Sequence, residues 1–544
     1  MSGSEITARA GEAASNDLVN NFVAFDRQVR LAEQYYERGD LHLSALRIVL
    51  AAHFAASRHC GIFASPRLER LLHGIGSKVP FTPKSAATLR PNGSRERVLH
   101  VCTEVYPIGG VTRMIARWIA ADGERTSSVA LTQQRGPIPE SFSGALEKSG
   151  VTIHRLNDRV GGLFDWVQSL RALAREHDYV VLHVHCEDII PLIAFAEPSD
   201  FPPVILLNHA DHLFWLGPGV SHLVASLRDA AEEIVLARRG VEQRRSFLLP
   251  TVVEPTVRLR SRAEAKRELG IPEDRIVLVS VARGAKYRTL GDVSFADRHV
   301  PVLRKHPEAT LIVVGVGDPA DWNRARAAVD GRIISLPEMP DPRIYFEAAD
   351  IYLDSYPFPS STSMLEAVGY GLPPVTLFAI PDAARIIGIN HIGLLGSVTQ
   401  ARSDAEYTEA VSTLIADADL REKKGRHARE VAERTITAPG WCEHLEKMYE
   451  RARELPPLDP TPIHNNTAIE RPYLGEPDCR HASIYGSNVS LPEITKVHMG
   501  MLSARSRLAC WNELRQAGAF RSSAESAKAL LPEWLKRKIK DRLR

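Results

Sequence analysis

The chain has 544 residues, 44% of them hydrophobic and 25% charged, which is roughly three to four domains' worth of material at about 150 residues each. That composition excludes a wholly disordered, collagen-like or membrane-embedded chain. The 68 basic and 66 acidic residues leave a net charge of +2, too little for the field that holds a nucleic acid, so no nucleic-acid partner is expected.

Residues 1–15 are polar, lack an apolar signal-peptide segment and read as a disordered tail. Residues 16–92 read as a helical hairpin and linker. The helical period runs through Phe22, Phe25, Val29, Ala32, Tyr35, Leu43, Leu46 and Val49, with a break at Gly39-Asp40, and the pair must bury its apolar face elsewhere. Three prolines within 76–95 mark the linker. From 93 the texture becomes short apolar strands alternating with amphipathic helices, the βαβ rhythm of a parallel sheet covered on both faces. It runs to about 250, crosses LLPTVVEPTVR and starts again over 251–435. Two doubly wound α/β domains in series place a cleft between their strand C-terminal edges. Residues 436–455 read as a closing helix, 456–523 as an irregular extension and 524–544 as a basic amphipathic helix.

Cys60, Cys102, Cys186, Cys442, Cys479 and Cys510 are scattered with no C-x-x-C pair, so neither a zinc ribbon nor a disulfide framework is written, and a reducing cytoplasm is expected. No run reaches the roughly 18 apolar residues of a spanning helix.

Chemistry concentrates at strand ends. The first strand of the first domain runs into Tyr106-Pro107-Ile108-Gly109-Gly110-Val111, where glycines let a ligand approach a helix N-terminus. This is not the GxGxxG fingerprint of a nicotinamide enzyme. His183 and His185 share a strand face and read as packed. A later strand ends in Asn208-His209-Ala210-Asp211-His212, and His209 is the candidate there, able to exchange a hydrogen bond with a substrate hydroxyl or to act as a base. In the second domain, strand 275–281 is followed by Arg283, Lys286 and Arg288, cations that suit a diphosphate and can offset the charge on a departing nucleotide. Downstream, Ser360-Ser361-Thr362-Ser363 opens a helix whose hydroxyls and N–H groups can cradle phosphate, and Glu366, one turn inside, can accept two ribose hydroxyls. Asp417-Ala418-Asp419 lies in a charged helical stretch and reads as surface, so no metal site is expected.

The run Ser361-Thr362-Ser363-Met364-Leu365-Glu366-Ala367-Val368-Gly369-Tyr370-Gly371-Leu372-Pro373 resembles the nucleotide-sugar signature of GT-B glycosyltransferases, in particular the group 1 retaining family. The resemblance covers about residues 97–455. It implies that Arg283 and Lys286 hold the donor diphosphate, Glu366 the ribose, Ser361 and Thr362 the phosphates and His209 the donor sugar, while Gly109 and Gly110 let the diphosphate approach. The family's usual pair of glutamates would require Glu at position 358, where this chain has Phe358. The segment 354–377 is also similar to the inverting catalytic domain of O-linked N-acetylglucosamine transferases.

The resulting expectation is a metal-independent, cofactor-free transferase that moves a hexose or N-acetylhexosamine from a nucleoside-diphosphate sugar. Its acceptor would be a glycan or lipid-linked molecule of surface polysaccharide synthesis. The alternatives are a protein O-glycosyltransferase-like enzyme and a non-catalytic glycan- or partner-binding protein. In residues 530–544, Leu531, Trp534, Leu535 and Ile539 form a stripe beside six cations, the pattern of a helix on an anionic membrane surface, so peripheral attachment at the cytoplasmic face is expected.

Overall fold

The computed structural model describes all residues except 1–2, 81–92, 288, 290–293, 317–318, 380–385, 389–391, 395, 439 and 543–544. It divides into two compact units: residues 1–226, 231–248 and 446–544 in the first, and 227–230 and 249–445 in the second.

The first unit is built on a seven-stranded sheet. Its strands are β1 (Arg97–Cys102), β2 (Thr126–Leu131), β3 (Thr152–Arg155), β4 (Tyr179–His183), β5 (Val204–Asn208), β6 (Leu223–Ser226) and β7 (Ser246–Leu248). The order is β3-β2-β1-β4-β5-β6-β7 and every pairing is parallel. This is the doubly wound order with one added strand, and the sheet reverses direction between β1 and β4, the position where such sheets bind ligands. Both faces of β4, β5 and β6 are buried, so these strands are largely apolar rather than alternating. Leu99 and Val101 join the larger core, and Cys102 joins a smaller one with Ile115, Val129, Leu131 and Phe142.

The N-terminal region holds three helices, α1 (Gly3–Glu37), α2 (Leu41–Ser57) and α3 (Pro66–Lys78). A hairpin alone was expected, and α1 begins inside the stretch read as a tail. Asp40 caps α2 by accepting from the Leu43 N–H, and Ser65 caps α3 with Pro66 at its first position. These helices have no separate core. Phe25, Val29, Leu46, Val49, Leu72 and Ile75 pack in one cluster with Val180 and Leu182 of β4, and with Met499, Cys510 and Leu514 from the far end of the chain. At about 1.5–3 kcal/mol for each large apolar side chain buried, this shared cluster is what holds both termini to the sheet.

Three buried charges reinforce it, each hydrogen-bonded to main-chain groups. Arg171 donates to the carbonyls of Gly76, Val79, Ile193 and Ala194 at 2.7–3.1 Å. Arg239, fully buried, donates to the carbonyls of Phe63, Asp211 and Leu213 and lies 4.1 Å from the Trp215 ring centroid. The Glu69 carboxylate accepts the N–H groups of Gly217 and Gly219, and burial pushes its pKa up to about 7.

Residues 456–523, expected to be irregular, form short helices. These include Glu476–Ile484, Leu491–His498 and Ala504–Gln516. The helix that follows, Glu533–Arg542, is not arranged as the sequence pattern suggested. Arg537 turns inward, pairs with Asp158 and donates to the Gln134 carbonyl, and Lys536 pairs with Glu533, while Ile539 is 42% exposed. The basic side is therefore partly spent on the protein itself. Among the described residues, no helix is long and apolar enough to cross a membrane.

The second unit carries a six-stranded sheet of β8 (Ile276–Val281), β9 (Ala309–Val314), β10 (Ile333–Leu336), β11 (Ile351–Leu353), β12 (Pro374–Leu377) and β13 (Thr399–Ala401). Its order, β10-β9-β8-β11-β12-β13, is again fully parallel, with the reversal between β8 and β11. Separate cores cover its two faces. The two doubly wound sheets are the domains expected of a GT-B fold.

Replacing Arg239 by Met keeps the volume but leaves three buried carbonyls without a donor, which costs about 3 kcal/mol. Urea denaturation of Arg239→Met should show a lower midpoint with an unchanged slope, and an unchanged midpoint would mean that packing alone holds this junction. Deleting residues 1–79 exposes the shared core and should give an aggregating protein rather than a folded, soluble truncation.

Candidate functional site

Each sheet presents polar residues at its reversal point. In the first unit, β1 and β4 end side by side, with Cys102 opposite His183. His100 and His183 meet within the core, Nδ1 to Nε2 at 3.1 Å, edge-on to Trp118. Burial holds both well below the usual histidine range, so they are neutral packing groups. His185 is different. The strand stops at His183, and His185 stands half-buried on the rim, its ring parallel to that of Tyr106 with centroids 6.1 Å apart.

The turn after β4 is fixed by Asp188, whose carboxylate accepts from Thr103 and Thr132 hydroxyls and from the Ile190 N–H. Thr103 Oγ1 in turn accepts the His185 N–H. Glu187 in this turn lies 3.3 Å from Nδ1 of His53 on α2. Burial raises the Glu187 carboxyl, but the His53 hydrogen bond and the neighbouring His185, His53 and His498 outweigh it and hold the pKa at about 2.

Gly109 is the N-cap of helix Gly110–Ala121, with no side-chain capping bond. Its backbone is extended, and an added Cβ would meet only ordinary contacts. The chain's own packing therefore makes no demand for glycine at 109.

His209 follows β5 directly. Asn208 anchors that strand end, bonding Ser226 and accepting from the Trp215 indole. His209 Nδ1 lies 3.2 Å from the Leu207 carbonyl, so with Nδ1 donating, Nε2 is the accepting nitrogen. Burial, with His185 nearby, lowers its pKa to about 4. His209 is thus a neutral hydrogen-bonding imidazole at pH 7 rather than a group poised to titrate there.

In the second unit, Arg283, Gly284 and Lys286 form a short turn after β8, and Arg283 is exposed. Arg288 lies outside the described residues. Lys286 Nζ donates to the Pro359 carbonyl at 2.8 Å and sits 5.0 Å over the Phe358 ring. Burial lowers its pKa to about 8; Asp354 opposes that shift and Arg283 adds to it. Position 358 therefore presents an aromatic face to the lysine where the family pattern has a carboxylate.

Asp354, at the end of β11, organises the loop. It is fully buried, and Oδ1 accepts the N–H groups of Ser355 and Ser360 at 2.9 and 2.8 Å. Burial raises its pKa to about 6 despite these bonds and the nearby Lys286. The loop delivers Ser360 to the N-cap of helix Ser361–Gly369, where its hydroxyl bonds Ser363 rather than a capping N–H. Ser361 and Thr362 open that helix and Glu366 follows half-buried on it. Gly315 after β9 is also required here. Its φ is +96°, and an added Cβ would lie 1.8 Å from the Ala282 carbonyl oxygen just before Arg283.

The structure thus gathers Arg283, Lys286, Ser361, Thr362 and Glu366 within one unit, and Gly109, Gly110 and His209 along the strand ends of the other. Asp354 and Glu187 were not anticipated; their only sequence signal is their place just past a strand. Asp417 serves as N-cap of helix Ala418–Thr435, accepting the Leu420 N–H at 2.9 Å.

Residues 276–417 match the model of the family described as glycosyl transferases group 1. This stretch of the second domain is similar to the group 1 glycosyltransferases. Among solved structures, HepE of Anabaena in complex with UDP is similar to this chain with a TM-score of 0.51 at 15% identity, covering 66% of this chain and 100% of that one. A glycosyltransferase of Rickettsia africae gives 0.50 at 11%, covering 66% and 99%. An O-GlcNAc transferase mutant of Thermobaculum terrenum gives 0.44 at 19%, covering 80% and 84%. No curated protein matches. The fold is GT-B.

The two perturbed groups of the second unit leave a signature in stability. A lysine whose folded pKa is depressed destabilises the fold while it is charged, so that cost is removed as pH rises from about 8 toward 10.5. The stability of the parent minus that of Lys286→Met should rise over that window. For Asp354, raised to about 6, the sign reverses: its contribution is greatest below about 4 and is lost as pH rises through 6. The parent minus Asp354→Asn difference should fall from pH 4 to 6. Urea titrations across pH measure both, and flat difference curves would place these groups in water.

Proposed function

We propose that the protein is a glycosyltransferase that moves a hexose or N-acetylhexosamine from a nucleoside-diphosphate sugar to a hydroxyl-bearing acceptor. The observation that carries the reading is the tether of Lys286 to the Pro359 carbonyl. Through it, one loop serves both a desolvated cation and the N-terminus of helix Ser361–Gly369. A cation and helix N–H groups at a sheet reversal point suit a diphosphate.

In this reading Arg283 and Lys286 hold the diphosphate and stabilise the charge that develops as the nucleotide departs, an interaction stronger in the transition state than in the ground state. Ser361 and Thr362 bond phosphate oxygens, and Glu366 accepts the ribose hydroxyls. Gly109 and Gly110 leave the backbone approachable. His209, in the first domain, is a neutral imidazole whose Nε2 can accept a sugar hydroxyl. The cations supply the charge that a divalent metal supplies elsewhere, so EDTA should leave turnover unchanged. UDP, the nucleotide in the HepE complex, is the first donor nucleotide to test. Glycan synthesis at the cell surface is the setting this reading favours.

Phe358, in place of a carboxylate beside the transferred sugar, favours a second reading of the stereochemistry, an inverting transfer like that of O-linked N-acetylglucosamine transferases. NMR of the anomer first released distinguishes the two outcomes.

Lys286→Ala should lower donor turnover by an amount equivalent to about 2–4 kcal/mol of transition-state stabilisation. Turnover within twofold of the parent would remove Lys286 from the reaction. Glu366→Ala should weaken UDP binding about tenfold, since a ribose contact acts in ground and transition states alike. Calorimetric titration measures this, and equal affinities would make Glu366 a surface residue. UDP binding without turnover of any sugar nucleotide would favour a non-catalytic binding protein.

A further inference from the structure

Five separate segments of the first unit converge beside the β1/β4 reversal. Tyr106 comes from the turn after β1, Arg135 from the turn after β2, His185 and Glu187 from the turn after β4, and His53 and His498 from α2 and helix Leu491–His498. The last two lie outside the doubly wound core. Glu187 is 3.3 Å from His53, with His185 and His498 close enough to act on its charge. Arg135 and His498 line one small recess. His498 is 96% buried, and among the described residues its Nδ1 has no hydrogen-bond partner. Tyr106, by contrast, is 41% exposed, with its ring parallel to that of His185.

This combination has no structural explanation in the way Arg171 and Arg239 have. Those charges are held by several main-chain carbonyls, whereas here a carboxylate, three imidazoles, a guanidinium and an exposed aromatic face gather at the sheet edge where doubly wound folds bind ligands. The charges are mixed. An anionic ligand would meet Glu187 and Glu104, which bonds the Tyr106 hydroxyl, and a cationic one would meet Arg135. A neutral polyol fits both, because each hydroxyl donates to a carboxylate and accepts from an imidazole or guanidinium N–H. The exposed Tyr106 ring offers an apolar face for the C–H side of a pyranose.

We propose that this rim binds a neutral hexopyranoside end group, with Glu187 and Tyr106 as its main contacts and with α2 and helix Leu491–His498 forming part of its wall. Resting on the transferase reading, it names the acceptor class as a neutral sugar and gives the appended helices a part in selecting it.

The test is saturation-transfer NMR of the full chain with the methyl glycosides of glucose, galactose and N-acetylglucosamine, and with methyl glucuronide, each at millimolar concentration. At least one neutral glycoside should bind. Glu187→Gln and Tyr106→Ala should each weaken it about fivefold or more, the loss of one polar or stacking contact, and the glucuronide should bind at least about fivefold more weakly than the glucoside. Tyr106 is exposed, so Tyr106→Ala decides alone if Glu187→Gln fails to fold. Absence of binding by all three neutral glycosides, binding unmoved in a folded Tyr106→Ala, or equal binding of the glucuronide overturns the proposal. UDP titrated into the same parent separates the two readings. UDP binding without glycoside binding overturns only this site, and glycoside binding with no binding of UDP, GDP, ADP or dTDP overturns the transferase reading.

Discussion

Burying a charge costs several kcal/mol unless hydrogen bonds replace its water, and the first domain meets that condition with main-chain groups. Arg171 and Arg239 each donate to three or more carbonyls, and Glu69 accepts two glycine N–H groups. Backbone partners cannot rotate away, so each charge fixes the mutual position of two or more segments far apart in sequence. Arg239 ties the loop at Phe63 to the loop at Asp211–Leu213, just past His209. The orientation of that candidate imidazole thus depends on a residue outside the site and on helices outside the sheet.

The second domain applies the same device with a different result. Asp354 pins the loop 354–360 through two N–H groups, and that loop presents both the Pro359 carbonyl to Lys286 and Ser360 to the helix start. One buried carboxylate therefore sets the spacing between cation and helix N-terminus. It also leaves Lys286 in a poorly solvated place, where its charge is expensive in the absence of an anion and most strongly engaged in the presence of one.

The two reversal points differ in chemistry. The edge in the second domain combines cations, hydroxyls and a helix N-terminus, which suits phosphate. The edge in the first combines a carboxylate, imidazoles and an aromatic face, which suits hydroxyl groups. A common fold geometry places both, and the side chains past each strand decide what each edge recognises.

The alternation of short apolar runs with amphipathic stretches determined both parallel sheets, because a strand buried on two faces has few other sequences open to it. The positions just past those strands then marked Gly109, His209, Arg283, Lys286 and the helix start at Ser361 as candidates. Local pattern does not report what a segment packs against. Only the tertiary structure brought His53 and His498 to Glu187, turned Arg537 of the C-terminal basic helix inward toward Asp158, and gave Asp354 its role. It also folded the stretch 456–523 into helices against the first domain. The reason is physical: periodicity records which side of an element is apolar, while long-range partners and the desolvation that shifts Lys286 and His209 arise only when distant segments exclude water together.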